Sequence, residues 1–315
     1  MQTILITGGA GFIGSHLVEY LLDTTDYQIL IIDNFDTFYD REIKVKNISS
    51  FINNPRVRLY EFDIREEDSF TQLSNSTIDA IIHLAAKAGV RPSIADPISY
   101  QDVNVRGTQN LLEFSKNKGI KQFVFASSSS VYGINPNYPW READAQLFPI
   151  SPYASTKISG ELLGHVYSHL FNIRFIALRF FTVYGPRQRP DLAIHQFARK
   201  LIHDQPATIY GDGSTLRDYT YVSDIIAGIM GALHYDKSMY EVINLGNNQP
   251  ISLNNLIDAI ETVFSKKLIQ NKFPEQPGDV AVTYADISKA KELLGYQPVV
   301  DIKKGLELFK HWILS

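Results

Sequence analysis

Thr3-Ile-Leu-Ile-Thr7-Gly8-Gly-Ala-Gly11-Phe12-Ile13-Gly14 stands near the start of the chain, and the rest is read outward from it. An apolar, β-branched run enters a glycine cluster directly, and a helical spacing of apolar residues begins at Ile13. A strand that ends in a glycine turn and feeds a helix brings unpaired N–H groups and the positive helix end to one point, a geometry that favours phosphate. Gly8 then permits the tight turn, Gly11 lets backbone approach a pyrophosphate, and Gly14 lets helix pack on strand. The spacing is G-x-x-G-x-x-G, not the commoner G-x-G-x-x-G, and plain tight turns account for many glycine clusters.

Asp33 strengthens the reading. It closes the next apolar run, residues 28–33, where a carboxylate can hold an adenosine ribose and would repel a 2′-phosphate. NAD is therefore expected over NADP. The blander alternative is a turn or helix-cap aspartate. Asp63 and Ile64, after a third apolar run at 57–62, are expected beside the adenine, with a turn aspartate the alternative reading of Asp63. Further runs at 80–84 and 122–127 alternate with helical spacing at 13–22 and 103–118. Short runs apolar on both faces, alternating with helices, predict an α/β fold built on a doubly wound parallel (Rossmann) sheet. Beyond residue 180 prolines punctuate shorter segments, so a smaller α/β substrate lobe is expected. The division reads as 1–180 for the dinucleotide and 181–315 mainly for substrate. An apolar run at 241–245 implies a return to the first lobe around 220–250.

Composition narrows the function classes. At 315 residues the chain is long enough for two lobes with a sizeable core. Lys plus Arg number 30 against 34 Asp plus Glu, which gives no bulk-charge support for nucleic-acid binding. With no cysteine, disulfides, thiolate metal sites and cysteine nucleophiles are excluded, and no metal is expected. Neither a signal peptide nor an apolar stretch of ~20 residues is apparent, so a soluble cytoplasmic protein without a membrane partner is expected.

The chemistry is carried by Tyr153-Ala-Ser-Thr-Lys157. It places a phenol and an ammonium four residues apart on one helix face, behind a plausible helix start at Ser151-Pro152. Upstream, Ala126-Ser127-Ser128-Ser129-Ser130 ends an apolar run. Nearby positive charge lowers a phenol from its usual value of ~10, so Lys157 is expected to make Tyr153 a base and a serine hydroxyl to share the proton. The alternative is a surface Tyr–Lys pair beside a serine-rich turn.

These motifs together resemble the extended short-chain dehydrogenase/reductases of the nucleotide-sugar epimerase/dehydratase group. The resemblance covers residues 7–14, 83–86, 126–133, 153–157, 179–186, 211–224 and 277–289. It implies Tyr153 as catalytic base, Lys157 as its electrostatic partner and cofactor-ribose ligand, and Ser128 as the assisting hydroxyl. It also implies that Leu84, Ala85, Ala86, Lys87 and Ser127 line the NAD site. The group's dehydratases resemble Thr-Asp-Glu where this chain has Ser128-Ser129-Ser130, and its decarboxylases carry Glu at the position of Ser130. A site without those acids is expected only to remove and return a hydride.

Within the group, the segments 179–193, 88–93 and 276–280 are most similar to the UDP-glucuronate 4-epimerases. That similarity implies carboxylate contacts from Thr182 and Arg189, with Arg91 a second candidate and Ser128 and Ser129 beside the sugar. A guanidinium suits the role because its planar fork pairs with a carboxylate bidentately. Each arginine has a plainer reading as a solvated loop residue or phosphate ligand. Arg217, in the diphosphate segment, is expected at the UDP phosphates, or else in an ion pair with Asp218 or Asp224, and Asp279 at the uridine ribose. Lys87 and Pro92 depart from the subfamily, where Gln and an aromatic are usual. The reaction implied is 4-epimerisation of a UDP-sugar: C4 oxidation, turning of the 4-keto sugar, and return of the hydride. UDP-glucose or UDP-N-acetylhexosamine remain alternative substrates, and a non-catalytic NAD-binding protein the alternative class. The family is commonly a homodimer through two helices, here those around 103–118 and 153–171.

Overall fold

The structure, a computed structural model, describes residues 2–144, 146–274 and 280–315. Seven parallel strands form the central sheet: β1 (Thr3–Thr7), β2 (Gln28–Ile32), β3 (Val57–Tyr60), β4 (Ala80–His83), β5 (Gln122–Ser128), β6 (Arg174–Phe180) and β10 (Tyr240–Leu245). Their order is β10-β6-β5-β4-β1-β2-β3, which reverses direction between β1 and β4. Side chains alternate across this sheet. Ile4, Ile6, Ile29, Ile31 and Val124 enter one apolar slab, while Leu5, Leu30, Phe123 and Phe125 enter the other. Both faces are thus buried, which is why the strands read as unbroken apolar runs.

The helices up to residue 171 are α1 (Phe12–Thr24), α2 (Arg41–Ile48), α3 (Val90–Ala95), α4 (Pro97–Gln101), α5 (Gly107–Lys118) and α6 (Pro152–Phe171). The helix expected over 103–118 has a different start. A π turn spans Asp102–Arg106, and regular α-helix begins only at Gly107. The expected strands at 28–33, 57–62 and 80–84 each end one or two residues early, as the backbone leaves the ladder to reach the cavity described below.

The remaining strands are short. β7 (Thr182–Tyr184), β9 (Leu216–Tyr221) and β11 (Pro250–Ser252) form one small sheet, and β8 (Ala207–Tyr210) pairs with β12 (Gln270–Phe273). Helices α7 (Ala193–Ile202), α8 (Val222–Leu233), α9 (Leu253–Phe264), α10 (Ser288–Leu294) and α11 (Ile302–Leu314) complete the chain. The first slab continues without a break through Ile194, Phe197, Leu256, Ile260 and Phe309, so one core extends from β1 to α11. Among the described residues no helix is long and apolar enough to cross a membrane.

Candidate active site

A cavity of about 500 Å³ opens at the carboxyl ends of the central strands, where the strand order reverses. That is the crevice in which doubly wound sheets hold ligands. Gly8, Gly11, Phe12, Ile13 and Gly14 form one wall. Gly8 has φ +74°, and a β-carbon there would strike the backbone of Ala85, so the turn requires glycine. A β-carbon on Gly14 would collide with the Gly8 carbonyl oxygen. No side chain caps the N-terminus of α1 among the described residues, and its first turn has no acidic residue. Unpaired N–H groups and an uncancelled dipole facing a cavity fit the phosphates of a dinucleotide.

Asp33 lines the same cavity and also stitches its rim. Its carboxylate accepts from Ala10 N (3.0 Å) and Phe35 N (2.9 Å), and Lys44 Nζ lies 3.7 Å away. Lys44 is almost fully buried, lies over the Tyr39 ring, and lines the cavity with Tyr39 and Phe38. Sequence reasoning missed all three, because a lysine on a short polar helix reads as surface charge. Asp63 and Ile64 follow on the adjacent wall, with Asp63 accepting from Asn34 Nδ2 at 2.7 Å.

Leu84, Ala85, Ala86 and Lys87 leave β4 along the cavity floor. Two devices fix this segment. Asn104, inside the π turn, accepts from Lys87 N (2.8 Å) and donates to Lys87 O (2.9 Å) and Thr156 Oγ1 (3.0 Å). Below it, Thr108 donates to Asn104 O (2.6 Å) and so accepts from His83 Nε2 (2.9 Å), which leaves His83 Nδ1 to accept from Thr7 Oγ1 (2.6 Å). His83 is a neutral structural histidine. Burial, with the Lys157 charge adding to it, pushes its pKa down to about 3.

Tyr153 and Lys157 lie on the first two turns of α6, where Ser151 accepts from Ala154 N and Pro152 occupies the first position. Both line the cavity, as do Ser127, Ser128 and Ser129 at the end of β5. Lys157 Nζ donates to Ala126 O at 2.6 Å. Ser128 Oγ accepts from the Ser130 amide (3.2 Å) and hydroxyl (2.8 Å), which leaves its own proton for the neighbouring Tyr153 phenol, whose pKa it pulls down.

The expected lowering of the phenol is corrected here. Burial pushes Tyr153 above its usual value, and the Ser128 hydrogen bond and the Arg189 charge pull against it without prevailing. Burial likewise pushes Lys157 down to about 7, against the pull of Glu161. The Arg189 charge bears on the phenol, and Lys157 Nζ lies over the Tyr153 ring.

Thr182, Arg189 and Arg217 reach the cavity from the chain beyond β6. Arg189 directs Nε and Nη2 to Asp191 (2.9 and 2.7 Å) and lies over the Phe38 ring. Its loop is anchored on both sides. His16 Nε2 meets Pro186 O at 2.9 Å, Arg187 pairs with Glu19 at 2.7 Å, and His195 Nδ1 meets Gln188 O at 2.7 Å. Arg217 donates to the carbonyls of Leu216 and Ala281. Arg91 is the exception. It lies over Tyr210, outside the cavity lining, because α3 carries it away from Gly89 toward β8. Asp279 lies outside the described residues.

The comparisons with known proteins agree with this geometry. The family model described as GDP-mannose 4,6 dehydratase matches residues 5–309. A UDP-glucuronate 4-epimerase of Thermodesulfobacterium geofontis is 41% identical over 99% of this chain and 96% of its own. The crystal structure of a UDP-glucuronic acid 4-epimerase from Bacillus cereus, in complex with UDP-glucuronic acid and NAD, is 41% identical, with TM-score 0.93 over 99% of both chains. A UDP-glucose 4-epimerase from Thermotoga maritima with UDP-glucose is 31% identical, with TM-score 0.91 over 99% of both chains.

Proposed function

The chain belongs to the GDP-mannose 4,6 dehydratase family, extended short-chain dehydrogenase/reductases of nucleotide sugars, and we propose that its reaction is the 4-epimerisation of UDP-glucuronate to UDP-galacturonate. More broadly it is an NAD-dependent UDP-sugar 4-epimerase. The observation that carries the finer reading is Arg189, a guanidinium in the cavity wall whose charge bears on the Tyr153 phenol. A cation at the reacting end of the sugar suits a C6 carboxylate, which would share with Asp191 the fork that the guanidinium presents, although the segment 186–189 is also similar to that of epimerases of neutral UDP-sugars.

The first-lobe cavity, from Gly8–Gly14 through Asp33, Asp63, Ile64 and residues 84–87, would hold NAD, with Lys157 and Ser127 beneath it. Residues of the second lobe, Arg217 among them, would hold the UDP. When bound, NAD accepts the electron pair from C4 and gives it back. Tyr153 takes the 4-hydroxyl proton onto its phenolate oxygen, and Ser128, donating to that oxygen, stabilises the phenolate. Lys157 holds positive charge beneath the same ring. Ser129 lies where it can orient the sugar as the 4-keto intermediate turns over. With the other face of C4 then turned toward the cofactor site, Tyr153 returns the proton to the C4 oxygen.

A 4-keto uronate is a β-keto acid that loses CO₂ readily. Thr182 and Arg189 hold the carboxylate away from the geometry for C–C cleavage. Arg189→Ala is expected to raise KM for UDP-glucuronate roughly tenfold or more, as lost charged hydrogen bonds do, with much less change for UDP-glucose. Equal losses on both sugars would overturn the carboxylate assignment. The reading as a whole is tested by following anomeric NMR signals of each sugar separately. Conversion of the uronate alone is expected. Conversion of the hexose alone would transfer the reaction to neutral sugars.

A homodimer is part of the proposal. A shallow groove between the α4–π-turn segment and α6 exposes Ile98, Leu162 and Val166 on one face, and apolar side chains clustered there suit a self-complementary helical interface.

A further inference from the structure

α6 carries a third member of the stripe begun by Tyr153 and Lys157. Glu161 lies one further turn along the same face and is 4% exposed. Three successive residues at the end of β5 are each tied to that stripe. Ala126 O accepts from Lys157 Nζ (2.6 Å), Ser127 Oγ donates to Glu161 Oε1 (2.5 Å), and Ser128 neighbours the Tyr153 phenol, whose pKa it pulls down. The neighbouring strand closes the arrangement. Arg179, opposite Ser127 in the β5–β6 register, donates Nε and Nη2 to the two Glu161 oxygens at 2.9 and 2.8 Å. Arg179 is 3% exposed and stacks on Tyr132. The described structure gives the pair no contact with the cavity, and the proton transfer above does not use it.

A buried carboxylate and guanidinium are costly to desolvate, and a well-packed apolar pair often does as well for stability. Their placement points to a different task. We propose that Glu161, locked to Arg179, is a positioning residue for the epimerase reaction: it fixes the turn-by-turn register of Tyr153 and Lys157 against Ala126–Ser128 and keeps the charge behind Lys157 balanced. The proposal rests on the assignment of Tyr153 and Lys157 as the proton-handling pair.

Lys157 and Tyr153 are also faced by His83 from β4, Tyr100 from α4 and Arg189 from its loop. Glu161 and Arg179 are faced by Tyr132, by Tyr240 from β10 and by Glu142. His83 is held neutral and Arg189 is charged throughout, so breaking the pair at one end changes the net charge at Lys157 by one unit. Removing the carboxylate leaves Arg179 as an unbalanced cation, which favours phenolate and neutral amine. Removing the guanidinium leaves Glu161 as an unbalanced anion, with the opposite effect.

The test uses the holoenzyme with bound NAD. Glu161→Gln is expected to move both limbs of the kcat–pH profile to lower pH, and Arg179→Met to higher pH, each by at least about half a unit. The double variant returns the limbs to the parent position with kcat lowered severalfold and KM little changed. The ¹³Cζ-tyrosine NMR signal of Tyr153, assigned with Tyr153→Phe, is expected to titrate with the same opposed shifts without substrate. Shifts in one direction for both single variants, or none, would overturn the proposal. If the single variants do not fold, the double variant decides: parental kcat in it overturns the register role. Undiminished turnover by Tyr153→Phe would instead overturn the underlying assignment.

Discussion

His83 shows how one side chain can make stability depend on pH without taking part in chemistry. It sits between Thr7 and Thr108, neutral, with its pKa pushed down to about 3. Unfolded, the imidazole returns to about 6.5, so between these values the unfolded chain binds a proton that the folded chain does not. Stability therefore falls as pH drops through 6.5 toward 3, and the His83 contribution lost between pH 7 and pH 5 is about 2 kcal/mol. Urea unfolding at those two pH values is expected to show a drop that shrinks by that amount in His83→Asn. An equal drop in both would mean that the imidazole charges within the fold. The motif containing His83 was legible in the sequence, but its task was not. What settles it is the Thr7–His83–Thr108 chain, contributed by separate elements.

At the scale of elements, α6 is fitted to the sheet by small residues. Gly160 and Gly164 lie over Phe125 and Phe175, and a β-carbon on Gly164 would enter the Phe175 ring. Overfilling a packed contact costs about 1–3 kcal/mol, more than the ~1 kcal/mol a helix gains when alanine replaces glycine. Gly164→Ala is expected to lower Tm and, by tilting the helix that carries Tyr153, to reduce kcat. A rise in Tm would show that the contact has room. The elements best read from sequence were those with simple physics: apolar strands buried on both faces, and a serine-capped helix with proline in its first turn. β6 was not read as a strand. Its charged residues, Arg174 and Arg179, break the apolar run, and Arg179 is buried only because Glu161 meets it from another element. Lys44 stayed hidden for the same reason, its burial being decided by Asp33 and Tyr39.

Across the whole molecule the small β7-β9-β11 sheet is joined to the central sheet at Asp218, which is fully buried in β9. Its carboxylate accepts from Asn247 N (2.7 Å) and Asn248 N (3.0 Å), just beyond β10, and from Ala285 N (3.1 Å). Orphaned buried donors cost about 1–3 kcal/mol each, so Asp218→Ala is expected to lower the free energy of urea unfolding by several kcal/mol, and the midpoint with it. An unchanged m-value would show that the molecule still unfolds as a unit. No local pattern announces such a residue. Asp218 stands in a segment that reads as diphosphate-binding, and its three donors lie far along the chain. The cavity residues were more legible, because glycine turns and the Tyr–Lys pair are local signals. The candidate arginines look alike in sequence, and only the fold separates Arg189, facing the cavity, from Arg91, stacked on Tyr210.

The seventh strand bears on the order in which this protein is made. β6 emerges from the ribosome well before β10, its hydrogen-bonding neighbour, and β7, α7, β8, β9 and α8 are synthesised between them. Until Tyr240–Leu245 arrives, the nascent sheet presents the bare N–H and C=O groups of β6, an apolar template for pairing with any other chain. Synthesis thus passes through an interval of aggregation risk. A cut or a stalled message between residues 180 and 240 would hold the chain inside it, with the glycine turn, Tyr153 and Lys157 already present and one edge of the sheet still open.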